Sequence, residues 1–225
     1  MIKSSKLVRR LLRIVIPLML IMGAMVFIPA GTLDFWEGWV FFFSLFTPMF
    51  FVFVYMIRHE RRLLEKRMNV NEKREKQKFI QLFNTLLFVA SMTTAGLDHR
   101  YGWSHVPFLL VIASDMTMLI GYYFFIKTML HNKYASRVIE VRKGQKIIDT
   151  GPYAVVRHPM YAAGILMYMF IPVALGSFWA MIPLLLIPAM LIFRLLDEEK
   201  ALIAGLKGYK RYMKKVKYRL IPWIW

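Results

Sequence analysis

The sequence predicts an all-α integral membrane protein of about six transmembrane helices. The last two form a helical hairpin, and a C-terminal amphipathic helix follows. Three observations lead there. The 225-residue chain is 58% hydrophobic with a mean hydropathy of +0.48, against roughly 45–50% apolar residues in soluble domains. Five stretches nearly free of charge are long enough to cross a bilayer. The 31 basic residues, which outnumber 13 acidic ones for a net charge of +18, fall almost entirely between alternate pairs of those stretches.

A spanning helix needs about 20 mostly apolar residues. Ile14–Leu33 and Gly38–Ile57 supply 20 each, Phe79–Leu97 supplies 19, and Val106–Ile126 supplies 21 with Asp115 inside it. Pro159–Phe193 runs 35 residues without a charge. As one straight helix it would reach roughly 52 Å, against a hydrocarbon core of about 30 Å. It is expected to turn back near Gly176-Ser177, with Pro172, Pro183 and Pro188 bending or starting the arms. The apolar run near the N-terminus is long for a signal peptide, so it is read as an uncleaved first helix.

The positive-inside rule orients these spans. Of the 31 Lys and Arg, 30 lie at residues 1–13, 58–78, 127, 131–158 and 194–225, and Arg100 alone falls on the other side. Both termini are therefore expected to be cytoplasmic, in the inner (plasma) membrane if the chain is prokaryotic. This placement explains the net charge as topology and attraction to anionic lipid, and it removes a nucleic-acid-binding reading. The apolar content excludes disorder. The absence of Cys excludes disulfide scaffolds, thiolate metal sites and Cys nucleophiles. Residues 1–225 are read as one membrane domain. Residues 1–130 hold four N-terminal transmembrane helices, and 131–225 hold a core of loop, hairpin and C-terminal helix.

Ionisable residues concentrate at the cytoplasmic ends of the hairpin. In the 131–158 loop, Val138–Val141 and Lys146–Asp149 flank Arg142-Lys143-Gly144-Gln145 in a short hairpin-like pattern, and Asp149-Thr150-Gly151-Pro152 marks a turn. Pro159 suits the first position of a helix, which puts Arg157 and His158 at its mouth. Two readings stand for this pair: Arg157 snorkelling to phosphate with His158 capping the helix, or a functional cluster. The other arm ends in Arg194-Leu195-Leu196-Asp197-Glu198-Glu199. Arg194 and Glu198 share a helix face, either as an exposed ion pair or as the second half of a site. Beyond it, Leu202, Leu206, Tyr209, Met213 and Val216 form an apolar stripe opposite a lysine-rich face, an interfacial helix able to roof a pocket. Asp115, an intramembrane carboxylate, is a functional candidate or a partner for hydroxyls between helices. The histidines show no metal-ligand spacing, and neither GxSxG nor a Walker A loop occurs.

Gly151-Pro152-Tyr153-x-x-x-Arg157-His158-Pro159-x-Tyr161-x-x-Gly164 resembles the signature of isoprenylcysteine carboxyl methyltransferases and phospholipid N-methyltransferases. Glu198-Glu199-x-x-Leu202 with Tyr209-x-x-Tyr212-x-x-x-Val216 resembles the second motif of that family, and the likeness covers about residues 131–225. The first half, through Gly31-Thr32-Leu33-Asp34-x-Trp36 and Gly96-Leu97-Asp98-x-Arg100-x-Gly102-Trp103, looks like prokaryotic members. The resemblance implies a methyltransferase using S-adenosylmethionine in a pocket under the C-terminal helix. It carries cofactor contacts onto Gln145, Lys146, Ile147, Ile148, Tyr153, His158, Pro159, Met160, Tyr161 and Glu198, and a substrate-orienting role onto Arg194. Eukaryotic members usually have His where this chain has Gln145.

No metal and no nucleic acid are expected; a lipid or hydrophobic small molecule is. The leading expectation is carboxyl O-methylation of an isoprenylcysteine-like substrate at the cytoplasmic face. A carboxylate is already ionised at neutral pH, so such a site needs no general base, Ser, Cys or metal. The alternatives are phospholipid N-methylation, an NADPH-dependent reductase of the sterol-reductase type, and a small non-enzymatic carrier.

Overall fold

A computed structural model describes residues 4–68, 72, 74–134, 138–139, 141 and 144–225. Helix follows wherever a long apolar run escapes charge. The chain builds α1 (Ser4–Ala30), α2 (Trp36–His59), the short α3 (Arg61–Arg67), α4 (Glu75–Tyr101) and α5 (Phe108–His131). α6 (Pro159–Ala174), the single turn α7 (Met181–Leu184), α8 (Ile187–Gly205) and α9 (Tyr209–Lys215) follow. Four of these, α1, α2, α4 and α5, are long and apolar enough to cross a membrane. The chain is thus a multi-pass membrane protein. α6, an apolar helix of 16 residues, and α8, at 19 residues with a charged second half, do not meet that measure of length and composition by themselves.

The hairpin itself is present. α6 ends at Ala174 with Leu175 as its C-cap, Gly176 turns the chain at φ +70°, and α7 with α8 leads it back along α4 and α6. Pro159 and Pro188 stand in the first turns of α6 and α8, where a missing N–H costs nothing. At this turn Ser104 donates its backbone N–H and its hydroxyl to Asp98, both at 2.6 Å, and the Ser177 hydroxyl donates to the same buried carboxylate. The hairpin tip is thereby fastened to the α4–α5 loop.

Two glycines set how closely the helices approach. A Cβ at Gly96 on α4 would collide with the Val26 carbonyl of α1. One at Gly121 on α5 would meet Met167 Cγ at 2.8 Å and the Ala163 carbonyl at 3.2 Å on α6. With no hydrophobic drive between helices in lipid, such close contact is what holds them together. Phe35, Phe41, Met92, Met118, Leu175, Leu184 and Ile187 fill the centre of the bundle.

The expected amphipathic helix beyond the Arg194–Glu199 cluster is not one continuous rod. α8 stops at Gly205, and Gly208 at φ +88° breaks the rod before α9 begins. Two glycines within four residues remove helix propensity there, and the space beside Gly205 is taken by Val141 at 3.1 Å. The stripe shifts accordingly: Leu206, Tyr209, Tyr212 and Val216 are buried, while Leu202 and Met213 pack at their edge. The hairpin-like pattern of 138–149 forms no strand among the described residues; Glu140, Arg142 and Lys143 lie outside them.

Candidate active site

The sequence places Arg157-His158-Pro159 where the loop becomes α6, and the fold uses that corner as a clasp. Arg157 is buried rather than reaching out to phosphate. Its Nε donates to Glu199 Oε1 at 2.7 Å, and its Nη1 donates to the carbonyls of Val216 at 2.9 Å and Lys217 at 2.8 Å. Arg219 Nε donates to Glu199 Oε2 at 2.9 Å, and His158 Nε2 lies 3.2 Å from Oε1. The backbone N–H groups of Arg157 and His158 donate to the carbonyls of Tyr218 and Arg219. His158 occupies the N-cap position of α6 but makes no side-chain cap bond. Burial pushes the Glu199 carboxyl up; the hydrogen bonds from His158, Arg157 and Arg219 outweigh it and hold the pKa at about 2. One glutamate thus joins the start of α6, the polar end of α8 and the C-terminal segment.

The neighbouring glutamate faces elsewhere. Glu198 looks into a cavity of about 1010 Å³, at the upper limit of small-molecule and cofactor sites. Its Oε2 accepts from the Tyr161 hydroxyl at 2.7 Å. Arg194, one helical turn earlier, also reaches that hydroxyl and donates from Nη1 to Gln77 Oε1 at 2.8 Å. Tyr161 therefore stands between an acidic and a basic group. Gln145, Lys146, Ile147, Ile148, Tyr153, His158, Met160 and Tyr161 line this cavity with Arg194 and Glu198. Pro159, the remaining residue named from the sequence, is buried beneath the α6 terminus and does not line it.

The roof comes from the tail. Tyr209 and Tyr212 close one wall, and the Tyr212 hydroxyl donates to the Tyr153 carbonyl at 2.7 Å. The Tyr153 hydroxyl accepts from Asn132 at 3.1 Å, and burial, only partly offset by that bond, pushes its pKa up to about 12. Burial likewise pushes Tyr209 and Tyr212 up, so all three remain neutral donors at working pH. Away from this polar end the cavity continues between α4, α6 and α8, along Gln81, Asn84, Thr85, Phe88, Tyr168 and Leu191. One opening therefore serves a polar mouth and a deeper wall between the long helices.

Several lining or supporting residues carry no signal in a motif scan. Arg67, from the short α3, donates to Met160 Sδ at 3.0 Å and lies over the Phe125 ring. Gln77 on α4 and Asn132 after α5 position Arg194 and Tyr153. Each is an isolated polar residue whose partner lies far away in the chain. Asp115 is buried in α5 opposite Ser44 and is not part of the cavity wall. Among the described residues no group of three or more His, Asp or Glu is placed to share a metal ion.

Residues 109–208 match the model of the phospholipid methyltransferase family. The matched segment runs from α5 through the clasp and both hairpin arms to Gly208. It indicates a methyltransferase acting on a lipid-related substrate, in a family that generally uses S-adenosylmethionine. No curated protein matches the chain.

Proposed function

We propose that this cavity binds S-adenosylmethionine at its polar mouth and a lipid-phase carboxylate along its deeper wall, at the cytoplasmic membrane face. The observation that carries the reading is the division at Tyr161, with Glu198 on one side and Arg194 on the other. The donor set suits the cofactor. Glu198 offers a carboxylate to a cationic or amino group, Tyr209 and Tyr212 offer aromatic faces, and Ile147, Ile148, Leu202 and Leu206 supply apolar wall. The cofactor, when bound, supplies a methyl group activated by a positively charged sulfur.

The chain's own residues then have three tasks. Arg194 holds the acceptor group through its planar fork. The tail and the Tyr153 corner keep water from the mouth, which strengthens every polar contact inside. The Tyr161 hydroxyl, fixed by Glu198, keeps the two halves in register. A carboxylate needs no deprotonation before it would accept a methyl group, so none of these residues would have to act as a general base. On this reading α6 and α7–α8 complete six crossings with both termini cytoplasmic, and an isoprenylcysteine-like acid is the leading acceptor. The matched family favours a second reading, N-methylation of a phospholipid amine. Incubating purified protein with labelled S-adenosylmethionine and a total lipid extract, then identifying the labelled species, separates them. A base-labile methyl ester supports the first reading, a methylated amine headgroup the second, and no labelled lipid counts against both.

A further inference from the structure

On α8, Arg194 and Asp197 stand three residues apart on one face, a spacing at which opposite charges pair directly. Such a pair would draw the guanidinium along its own helix and away from the cavity. Gln77 stands between them. Its Nε2 donates to Asp197 Oδ2 at 2.7 Å while its Oε1 accepts from Arg194 Nη1 at 2.8 Å. Arg74 Nη1 donates to the same Asp197 oxygen at 3.1 Å. Gln77 is fully buried at 0% exposure, so its amide has no solvent alternative. Carboxylates only accept and guanidinium groups only donate, which leaves one orientation for the amide. Glu at this position would offer Asp197 no donor. Lys would offer Arg194 no acceptor, and a hydrocarbon side chain would offer neither.

We propose that Gln77 is a positioning residue: it occupies Asp197 with one end of its amide and Arg194 with the other, keeping the guanidinium turned toward Tyr161 and the cavity. It lies on α4, outside the family-matched residues 109–208, and it does not itself line the cavity. The inference rests on the reading of Arg194 as the substrate-orienting group. Its content is that a residue of the first half of the chain sets the activity of a group in the second.

The test compares wild type with Gln77→Met, which keeps the side-chain length and loses both bonds, and with Gln77→Met/Asp197→Asn. Methyl transfer from labelled S-adenosylmethionine into a total lipid extract should fall about tenfold or more in Gln77→Met. The affinity for S-adenosylhomocysteine should stay within about twofold, because Glu198 is untouched. The double variant should recover most of the transfer, since Asp197 no longer attracts Arg194. Unchanged transfer in Gln77→Met, loss of S-adenosylhomocysteine binding along with it, or no recovery in the double variant would each overturn the inference. If wild type itself transfers no methyl group, the proposed function fails, and phenylglyoxal labelling of Arg194, mapped by mass spectrometry, decides this point separately. Slower labelling in Gln77→Met, restored in the double variant, supports the diversion of Arg194. Equal rates in all three overturn it.

Discussion

At the tip of the hairpin, Asp98 is enclosed by neutral donors from Ser104 and Ser177, and no cavity adjoins it among those described. At the hairpin's open end, two adjacent glutamates part company. Glu199 is 4% exposed and ringed by Arg157, Arg219 and His158. Glu198 faces a cavity, with a tyrosine hydroxyl between it and Arg194. Full enclosure by donors makes a carboxylate structural, whereas a carboxylate left facing open space keeps capacity for a ligand. Charge content alone does not separate these cases, since both ends carry acidic residues beside a helix terminus.

Removing the enclosed carboxylate at the open end should have the largest effect. Glu199→Ala leaves two arginines without their acceptor and is expected to cost about 3–5 kcal/mol of stability, read as a large drop in thermal midpoint in detergent. Glu198→Ala should change that midpoint far less. It should instead weaken S-adenosylhomocysteine binding by about 1–3 kcal/mol, since it removes a charged hydrogen-bonding partner. Asp98→Asn sharpens the contrast from the other end: a loss of about 1–3 kcal/mol of stability with S-adenosylhomocysteine affinity unchanged. Arg194→Lys keeps the charge and loses the fork, so methyl transfer should fall while cofactor affinity barely moves. Near-equal transfer by the two proteins would reduce Arg194 to an ion-pairing role.

The pH dependence tests the same division. The Glu199 carboxyl ordinarily titrates near 4.5 and is held at about 2 in the fold. Because the folded value is the lower one, its stabilisation is complete above about pH 5 and is lost as the pH falls from 4.5 toward 2. The thermal midpoint of wild type should decline across the accessible part of that window, and Glu199→Gln should decline less. Parallel curves would mean that Glu199 carries less of the clasp than its contacts imply.

Much of this arrangement was legible in the sequence, for identifiable reasons. Uncharged runs marked the long helices because the bilayer penalises charge wherever it falls. Gly176-Ser177 marked the hairpin turn because a 35-residue run had to fold back. Ten of the eleven residues drawn from the family likeness line one cavity, since short motifs keep their residues near one another in space. The split between Glu198 and Glu199 was not legible: neighbours on a helix point about 100° apart, and only tertiary packing says which faces inward. Gln77, Arg67 and Asn132 were invisible because each acts on a partner more than 20 residues away. The break at Gly208 was masked by an apolar spacing that continued through it.

On the proposed function, the open end of the hairpin holds the cofactor through Glu198 while Glu199 holds the fold. Titration calorimetry with S-adenosylhomocysteine on wild type, Glu198→Ala and Glu199→Gln, each first shown folded by its thermal transition, tests it most directly. Binding by wild type and by folded Glu199→Gln, with binding weakened by about tenfold or more in Glu198→Ala, is the expected result. Full-strength binding by Glu198→Ala, or none by folded wild type, would contradict it.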